Sequence, residues 1–310
     1  MDSNESASQA QGALLLSPPS TEQTTITTKN TKTSTYSCNF LQHLIDHSIY
    51  PDGYEYPDGR IPALPDNWDD INQRLIQRRR SLSPSRFNND DFRKFKRANT
   101  LAYNEDPVRA EVVSMIEGDD FGDPKCCGGD YRFANLAPLT DGSLASATPD
   151  RFYGARPEQL NREIREEIGS LIVPSKDDRP IAPNFFLEAK GLRGTLAVAE
   201  RQACYDGALG ARAMHTLQSY QQRPTFDNNA YTIISTYDNR TLTLYTTHPI
   251  EPSDPWCRPE YIMTQLRCFA MIDSPESFRQ GAAAYRNARD WAKERRDEFI
   301  RLANERRLNV

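Results

Sequence analysis

The chain has 310 residues, enough to bury a core, and could hold one large domain or two small ones. Only 37% of the residues are hydrophobic, and the mean hydropathy of -0.73 indicates that part of the chain is tail or linker. No apolar run approaches the roughly 20 residues of a membrane span, and residues 1–30 do not resemble a secretory signal. With a net charge of -5, this composition predicts an intracellular protein without membrane association.

The first third of the chain predicts a tail and an extension. Residues 1–36 are rich in Ser and Thr and predict a disordered tail. Residues 37–104 predict a helical and Pro/Asp-rich N-terminal extension, beginning with an amphipathic helix over 39–49. Within it, the basic segment 74–97 carries nine Arg or Lys against two Asp.

The basic segment leaves three interpretations open. It can contact nucleic-acid phosphates, bind a nuclear import receptor, or form a solvated linker. Nucleic acid is therefore an admissible partner, and nuclear residence stays open. The Ser83-Pro84 pair within the segment also suggests a proline-directed phosphorylation site. Nothing in the sequence indicates the oligomeric state.

The following region, 105–250, predicts an alternating α/β core. Periodicity and turn residues predict, in order, a helix over 106–117, strands over 131–139 and 143–150, a helix opening at Pro157, a strand over 184–190, a helix over 196–220, and a hairpin of 231–237 with 241–247. The glycines of the 196–220 helix favour close packing on a sheet. Residues 251–310 predict a Pro-rich connection followed by a long helix over 275–308.

Glu188-Ala189-Lys190 is the triplet most suggestive of chemistry. It ends an apolar strand, and because strand side chains alternate, Glu188 and Lys190 should share one face while Phe185 and Leu187 point into a core. A second acid-x-Lys triplet begins at Asp123 but lies in a loop rich in Gly, Pro and Cys. The context of Glu188, including Pro149-Asp150 at the end of an earlier predicted strand, favours it as the functional one.

This order of elements resembles the PD-(D/E)xK superfamily of nucleases. The resemblance implies a restriction-endonuclease-like α/β core (αβββαβ) over 105–250, with a mixed sheet flanked by helices. The stretch from Pro183 to His215 also resembles an uncharacterised domain family of filamentous fungi, which implies a domain boundary rather than an activity.

The resemblance also implies site residues. Asp150 and Glu188 would bind Mg²⁺ or Mn²⁺, Lys190 would orient the attacking water, and Gln202 would lie beside the site. Glu111 is assigned as the acid on the first helix and as a third metal ligand, and Glu117 on the same helix remains the alternative. The implied activity is metal-dependent hydrolysis of phosphodiester bonds in DNA or RNA.

Two alternatives remain open at this point. Glu188 and Lys190 could form a surface ion pair on an edge strand, worth about 0 to 1 kcal/mol. The fold could also be a catalytically inactive nuclease-like module that binds nucleic acid or protein. Convergence of Asp150, Glu188 and Lys190 favours the enzyme, whereas an Asp150 more than roughly 8 Å from Glu188 favours the module.

Overall fold

A mixed β-sheet forms the centre of the protein. The computed structural model describes residues 32–119, 122–175, 179–191, 194–238, 240–252 and 257–309. Within these ranges the strands are β1 (Ile49–Tyr50), β2 (Cys127–Gly128), β3 (Arg151–Ala155), β4 (Ile181–Ala189), β5 (Thr232–Asp238), β6 (Thr241–Ile250) and β7 (Glu260–Ala270). Their order across the sheet is β1-β7-β6-β5-β4-β3-β2, and the described chain from Lys32 onward is one compact unit.

Helices cover both faces of this sheet. They are α1 (Phe40–Ile45), α2 (Trp68–Leu75), α3 (Asn89–Leu101), α4 (Glu105–Pro107), α5 (Ser114–Glu117), α6 (Arg162–Ile172), α7 (Leu196–Gln218) and α8 (Pro275–Leu308). A π-helical stretch, Val108–Val113, joins α4 to α5. α7 packs on one face with α1, and α8 packs on the other with α2, α3 and α5. No helix in the described ranges is long and apolar enough to cross a membrane.

β4 has the alternation that its sequence predicts. Phe185 and Leu187 belong to the core that α8 covers, whereas Phe186 belongs to the core under α7. Glu188 shares the α7 side with Phe186, because side chains two residues apart lie on one face of a strand. β4 lies between β3 and β5, and Glu188 is fully buried, so the surface ion pair on an edge strand is excluded.

Several other predicted elements are confirmed. α1, α6 and α7 occupy the predicted helical regions, β5 and β6 form the predicted hairpin, and α8 begins and ends at the predicted residues. The apolar stripe of α8 is buried on its own chain, as Phe278, Tyr285 and Ala292 show. The predicted tail, 1–36, lies outside the described residues except at its end, where Thr33 forms a bridge with Leu144.

The predicted strands 131–139 and 143–150 are wrong. The two segments do run side by side, since Asp130 N–H donates to Pro149 O at 3.0 Å and Phe133 N–H donates to Ala147 O at 2.8 Å. They form no regular ladder, and the prolines among them have no N–H to donate. The strand begins only at Arg151, so Asp150 precedes β3 rather than ending a strand.

Five elements, β1, β2, β7, α2 and α3, had no individual prediction, although the extension as a whole was expected to be helical. α2 and α3 lie in the extension 37–104, and Phe92 and Phe95 on α3 are buried while its basic residues point outward. A capping box at Asn88 and Asp91 starts α3. β7 lies in the region expected to be a Pro-rich connection. The extension therefore packs as part of the same unit, and segment 74–97 is not a solvated linker.

Glycines on α7 allow the helix to approach the sheet closely, as predicted. A Cβ on Gly210 would lie 2.7 Å from side-chain atoms of both Phe186 and Thr232, and one on Gly207 would lie 2.3 Å from Thr247 Oγ1. The close contact between helix and sheet that glycine allows here compensates for its low helix propensity.

We expect Gly210→Ala to lower the free energy of unfolding by about 1 to 3 kcal/mol, because the added methyl group overpacks this contact. Urea unfolding at neutral pH measures the change. Gly169→Ala on α6 is the matched control. Its Cβ would meet only Val173 Cγ2 at 3.7 Å, so that variant should gain up to about 1 kcal/mol in helix propensity. Equal stabilisation by both substitutions would contradict close packing of α7.

Candidate functional site

Asp150, Glu188 and Lys190 meet where the start of β3 faces the end of β4. The antiparallel register pairs Arg151 with Leu187, which brings Asp150 beside Glu188. Asp150 N–H donates to Glu188 Oε1 at 3.4 Å, and Lys190 Nζ lies 3.7 Å from Glu188 Oε2 and 4.0 Å from Asp150 Oδ2. All three side chains are at least nine-tenths buried. The convergence that favours the enzyme is therefore present.

Asp206 on α7 completes this group, and the sequence analysis did not assign it a role. Its carboxyl group hydrogen-bonds to that of Glu188, and both are buried. Burial raises the pKa of Asp206 to about 7, and burial together with the charges of Asp206 and Asp150 raises the pKa of Glu188. Two buried carboxyl groups in contact cannot both ionise readily, so the pair keeps a proton at neutral pH.

Lys190 is the cation at the centre of the group. Burial alone would lower its pKa, but the carboxylates of Glu188, Asp150 and Glu105 outweigh that effect and raise it. The side chain therefore stays protonated. We refer to Asp150, Glu188, Lys190, Asp206 and Glu105 as the acidic cluster.

Glu105 on α4, rather than Glu111 on the π-helical stretch that follows, is the acid beside Lys190. Glu105 Oε1 lies 3.4 Å from Lys190 Nζ, whereas Glu111 is exposed on the helix surface. The assignment of Glu111 as a metal ligand stays a prediction, and Glu105 is the acid found beside Lys190. Local packing places Glu105 there: a Cβ on Gly191 would lie 2.7 Å from Tyr103 O, so the end of β4 abuts the start of the helix.

Arg109, one turn after Glu105, holds the outer side of Asp150. Its Nη1 donates to Asp150 Oδ1 at 2.6 Å and to Asp130 Oδ1 at 2.5 Å, and its Nη2 donates to Asp106. Asp150 Oδ2 accepts the Ala189 N–H at 2.7 Å. Both oxygens of Asp150 therefore have partners within the protein. A groove of about 280 Å³ adjoins them, lined by Arg109, Asp130, Asp150 and Arg151 among others.

The oxygen atoms at this site suit a hard divalent cation. Glu188 Oε2, Asp206 Oδ2 and Gln202 Oε1 are buried, and none has a hydrogen-bond partner among the described residues. Gln202 and Asp206 are four residues apart on α7 and so lie on one helix face. Carboxylate and amide oxygens are the ligands that Mg²⁺ prefers, so the residues present fit the metal that the sequence implies.

A different group has the tightest arrangement of potential metal ligands. Among the described residues, only His43, His47 and Asp141 place three such atoms within 4.8 Å of one another. His43 Nε2 lies 3.0 Å from Asp141 Oδ1, and the centroids of the two imidazole rings lie 4.4 Å apart with their planes tilted by 33°. The four-residue spacing of the two histidines is the sequence pattern that could have indicated this group. The carboxylate oxygens of the acidic cluster would have to move closer together to bind a metal ion in the same way.

Comparison with protein-family models, with curated proteins and with solved structures finds no match for this chain.

The raised pKa values predict a pH dependence that Asp206→Asn removes. A carboxyl group whose pKa is raised on folding contributes stability below its unfolded pKa and loses it as pH rises through its folded pKa. Without added metal, the free energy of unfolding should therefore contain a component that falls between about pH 4 and pH 7. At pH 8, Asp206→Asn should be more stable than the parent protein, by an amount on the order of a few kcal/mol.

Urea unfolding in EDTA at pH 5 and pH 8 tests this expectation. The exposed Asp273→Asn should follow the parent protein at both pH values. If Asp206→Asn follows it as well, the Asp206 carboxyl group titrates normally and the proposed proton of the pair is refuted.

Proposed function

We propose that this chain is a Mg²⁺- or Mn²⁺-dependent nuclease of the PD-(D/E)xK type that hydrolyses phosphodiester bonds. The observation that carries the proposal is the meeting of Asp150, Glu188 and Lys190 in one buried group. The topology supports it. A helix precedes β2, β3 and β4, of which β3 runs antiparallel to both β2 and β4, and α7 then leads to β5, which is parallel to β4.

Each residue has a role consistent with its surroundings. Asp150 and Glu188 would hold the cation, and Asp206 and Glu105 supply further oxygens beside Glu188 and Lys190. Gln202 lies one turn before Asp206 on the same face of α7. A bound Mg²⁺ lowers the pKa of a coordinated water and neutralises charge on the phosphate. Lys190, kept protonated by its neighbours, would orient that water.

Arg109 has a second role in this proposal. Its guanidinium group lies in the groove next to Asp150, where a phosphate would approach. Guanidinium binds phosphate with two parallel hydrogen bonds, as it binds carboxylate. Arg109 would exchange Asp150 for the scissile phosphate when substrate and metal bind, which releases Asp150 Oδ1 as a metal ligand.

A catalytically inactive module with the same fold is the second candidate, and a specific observation favours it. Arg109 and the Ala189 N–H already satisfy both oxygens of Asp150, while Glu188 and Asp206 share a hydrogen bond. In this case protons and Arg109 neutralise the cluster permanently, and the protein binds nucleic acid or a protein without cleaving it.

The purified 310-residue protein should cleave DNA or RNA with Mg²⁺ or Mn²⁺, and EDTA should abolish the cleavage. Lys190→Gln should lower the rate by about 100-fold or more, because the water loses its positioning group. Asp150→Asn should do the same through the metal. The control is Lys293→Gln, which alters an exposed residue of α8 that pairs with Asp297. Gel assays with linear duplex, single-stranded DNA and RNA measure the rates.

The outcomes separate the candidates. Cleavage that survives in Lys190→Gln would show that the activity belongs to another site or another protein. Saturable binding of nucleic acid without cleavage under all metal conditions would support the inactive module.

Whether Glu105 or Glu111 supports metal binding can be tested directly. Glu105→Gln should weaken Mn²⁺ binding roughly 10-fold, because it removes a carboxylate beside Lys190 that supports the site. Glu111→Gln removes the same charge from an exposed position of the same helix and should leave the affinity unchanged. Calorimetric titration of each protein with Mn²⁺ gives the dissociation constants. A larger loss of Mn²⁺ affinity in Glu111→Gln than in Glu105→Gln would support Glu111 as the metal ligand.

A further inference from the structure

An arginine-lined pocket lies on the face of the sheet opposite the acidic cluster. It has a volume of about 760 Å³ and lies between the turn Arg80–Leu82, the end of β7 and the start of α8. Arg267 and Phe269 of β7 are paired with Leu244 and Leu242, which belong to the core under α8. The pocket is thus separate from the site that contains Glu188.

Positive charge dominates the lining of this pocket. Five arginines line it together with one glutamate: Arg78, Arg79, Arg80, Arg267, Arg279 and Glu276. Such a concentration is unusual on a chain whose net charge is -5. Guanidinium groups at close quarters repel one another and are stabilised when an anion binds between them.

Only part of this charge is neutralised within the protein. Arg79 Nη1 pairs with Asp290 Oδ2 at 2.7 Å, and Arg279 pairs with Glu276 at 3.0 Å. In the described ranges no ion pair involves Arg80 or Arg267, and Arg267 Nε is buried without a hydrogen-bond partner. A buried donor without a partner is costly, so a ligand oxygen that accepts from Arg267 Nε would stabilise this position.

The remaining lining is apolar. Ile76 is half exposed here, and Leu82, Pro84 and Phe269 add further hydrocarbon and aromatic surface. A bare inorganic anion would leave this surface in contact with water. A ligand with a phosphate at one end and a flat or apolar group at the other would satisfy both parts, and the volume is in the usual range for small-molecule sites, about 300 to 1,000 Å³.

We propose that this pocket binds a small phosphorylated ligand with an aromatic or apolar part, the chemistry of a nucleoside phosphate. The arginines contact the phosphates, and Phe269 with Ile76 contacts the ring. The site is independent of the proposed nuclease activity, since it uses other residues on another face. A nucleic-acid strand is the competing occupant, and it would also engage exposed basic residues outside the pocket.

Calorimetric titration of the 310-residue protein with ATP, inorganic phosphate and adenosine tests the proposal, with EDTA present so that no metal-bound nucleotide reaches the acidic cluster. ATP should bind at one site, phosphate more weakly, and adenosine more weakly than ATP. Arg267→Gln and Arg80→Gln should each weaken ATP binding roughly tenfold or more, because each removes a charged hydrogen bond. Ser83→Glu, at the pocket lining, should also weaken it by adding a carboxylate.

The control is Arg86→Gln, an exposed arginine of the same basic segment that is not among the lining residues. Its ATP affinity should equal that of the parent protein. Because Arg267 is partly buried, thermal unfolding must confirm that its variant is folded, and the exposed Arg80→Gln provides a second measurement. The proposal is overturned by the absence of saturable ATP binding, by unchanged affinity in Arg80→Gln, by an equal loss in Arg86→Gln, or by binding of single-stranded DNA without binding of ATP.

Discussion

The burial of Glu188 on a central strand is the constraint on which the rest of the site depends. α7 covers the face of β4 that carries this carboxyl group, so water cannot solvate it, and an uncompensated buried carboxylate would be strongly destabilising. Its compensation comes from three places: Asp150 N–H just before β3, Lys190 just after β4 and Asp206 on α7. Close packing of α7 through Gly207 and Gly210 both creates the burial and supplies the partner.

A second buried carboxylate anchors the opposite face of the same region. Glu117, at the end of α5, accepts hydrogen bonds from Arg151 Nε at 3.1 Å, Tyr153 OH at 2.8 Å and Tyr285 OH at 3.2 Å. Arg151 and Tyr153 alternate with Phe152, which belongs to the core under α7. Short as it is, β3 is thus fixed from both sides, and this holds Asp150, the residue just before it, in place beside Glu188.

The sequence predicted the elements whose local pattern is strong and missed those defined by distant contacts. β4, α7, the β5–β6 hairpin and α8 carry clear periodicity or turn residues. β7 does not, because Tyr261, Ile262 and Met263 are buried in succession and erase the alternation. At the site, strand alternation predicted the pairing of Glu188 with Lys190. Asp206 and Glu105 depend on how α7 crosses β4 and on how Gly191 meets the first helix, which no local pattern encodes.

The balance of charge, more than the placement of residues, distinguishes a catalytic cluster from a structural one. Asp150, Glu188, Asp206 and Glu105 face two cations, Lys190 and Arg109, and Arg109 is also shared with Asp130 and Asp106. Four carboxylates with two cations need further positive charge in a site this dry, and the proton of the Glu188–Asp206 pair supplies part of it. A divalent cation would supply the same charge and would displace that proton, which frees Arg109 to bind phosphate. The residues that stabilise the cluster without metal are therefore also the residues that the proposed metal would use once their oxygens move closer together, and the two functions differ in which positive charge they hold.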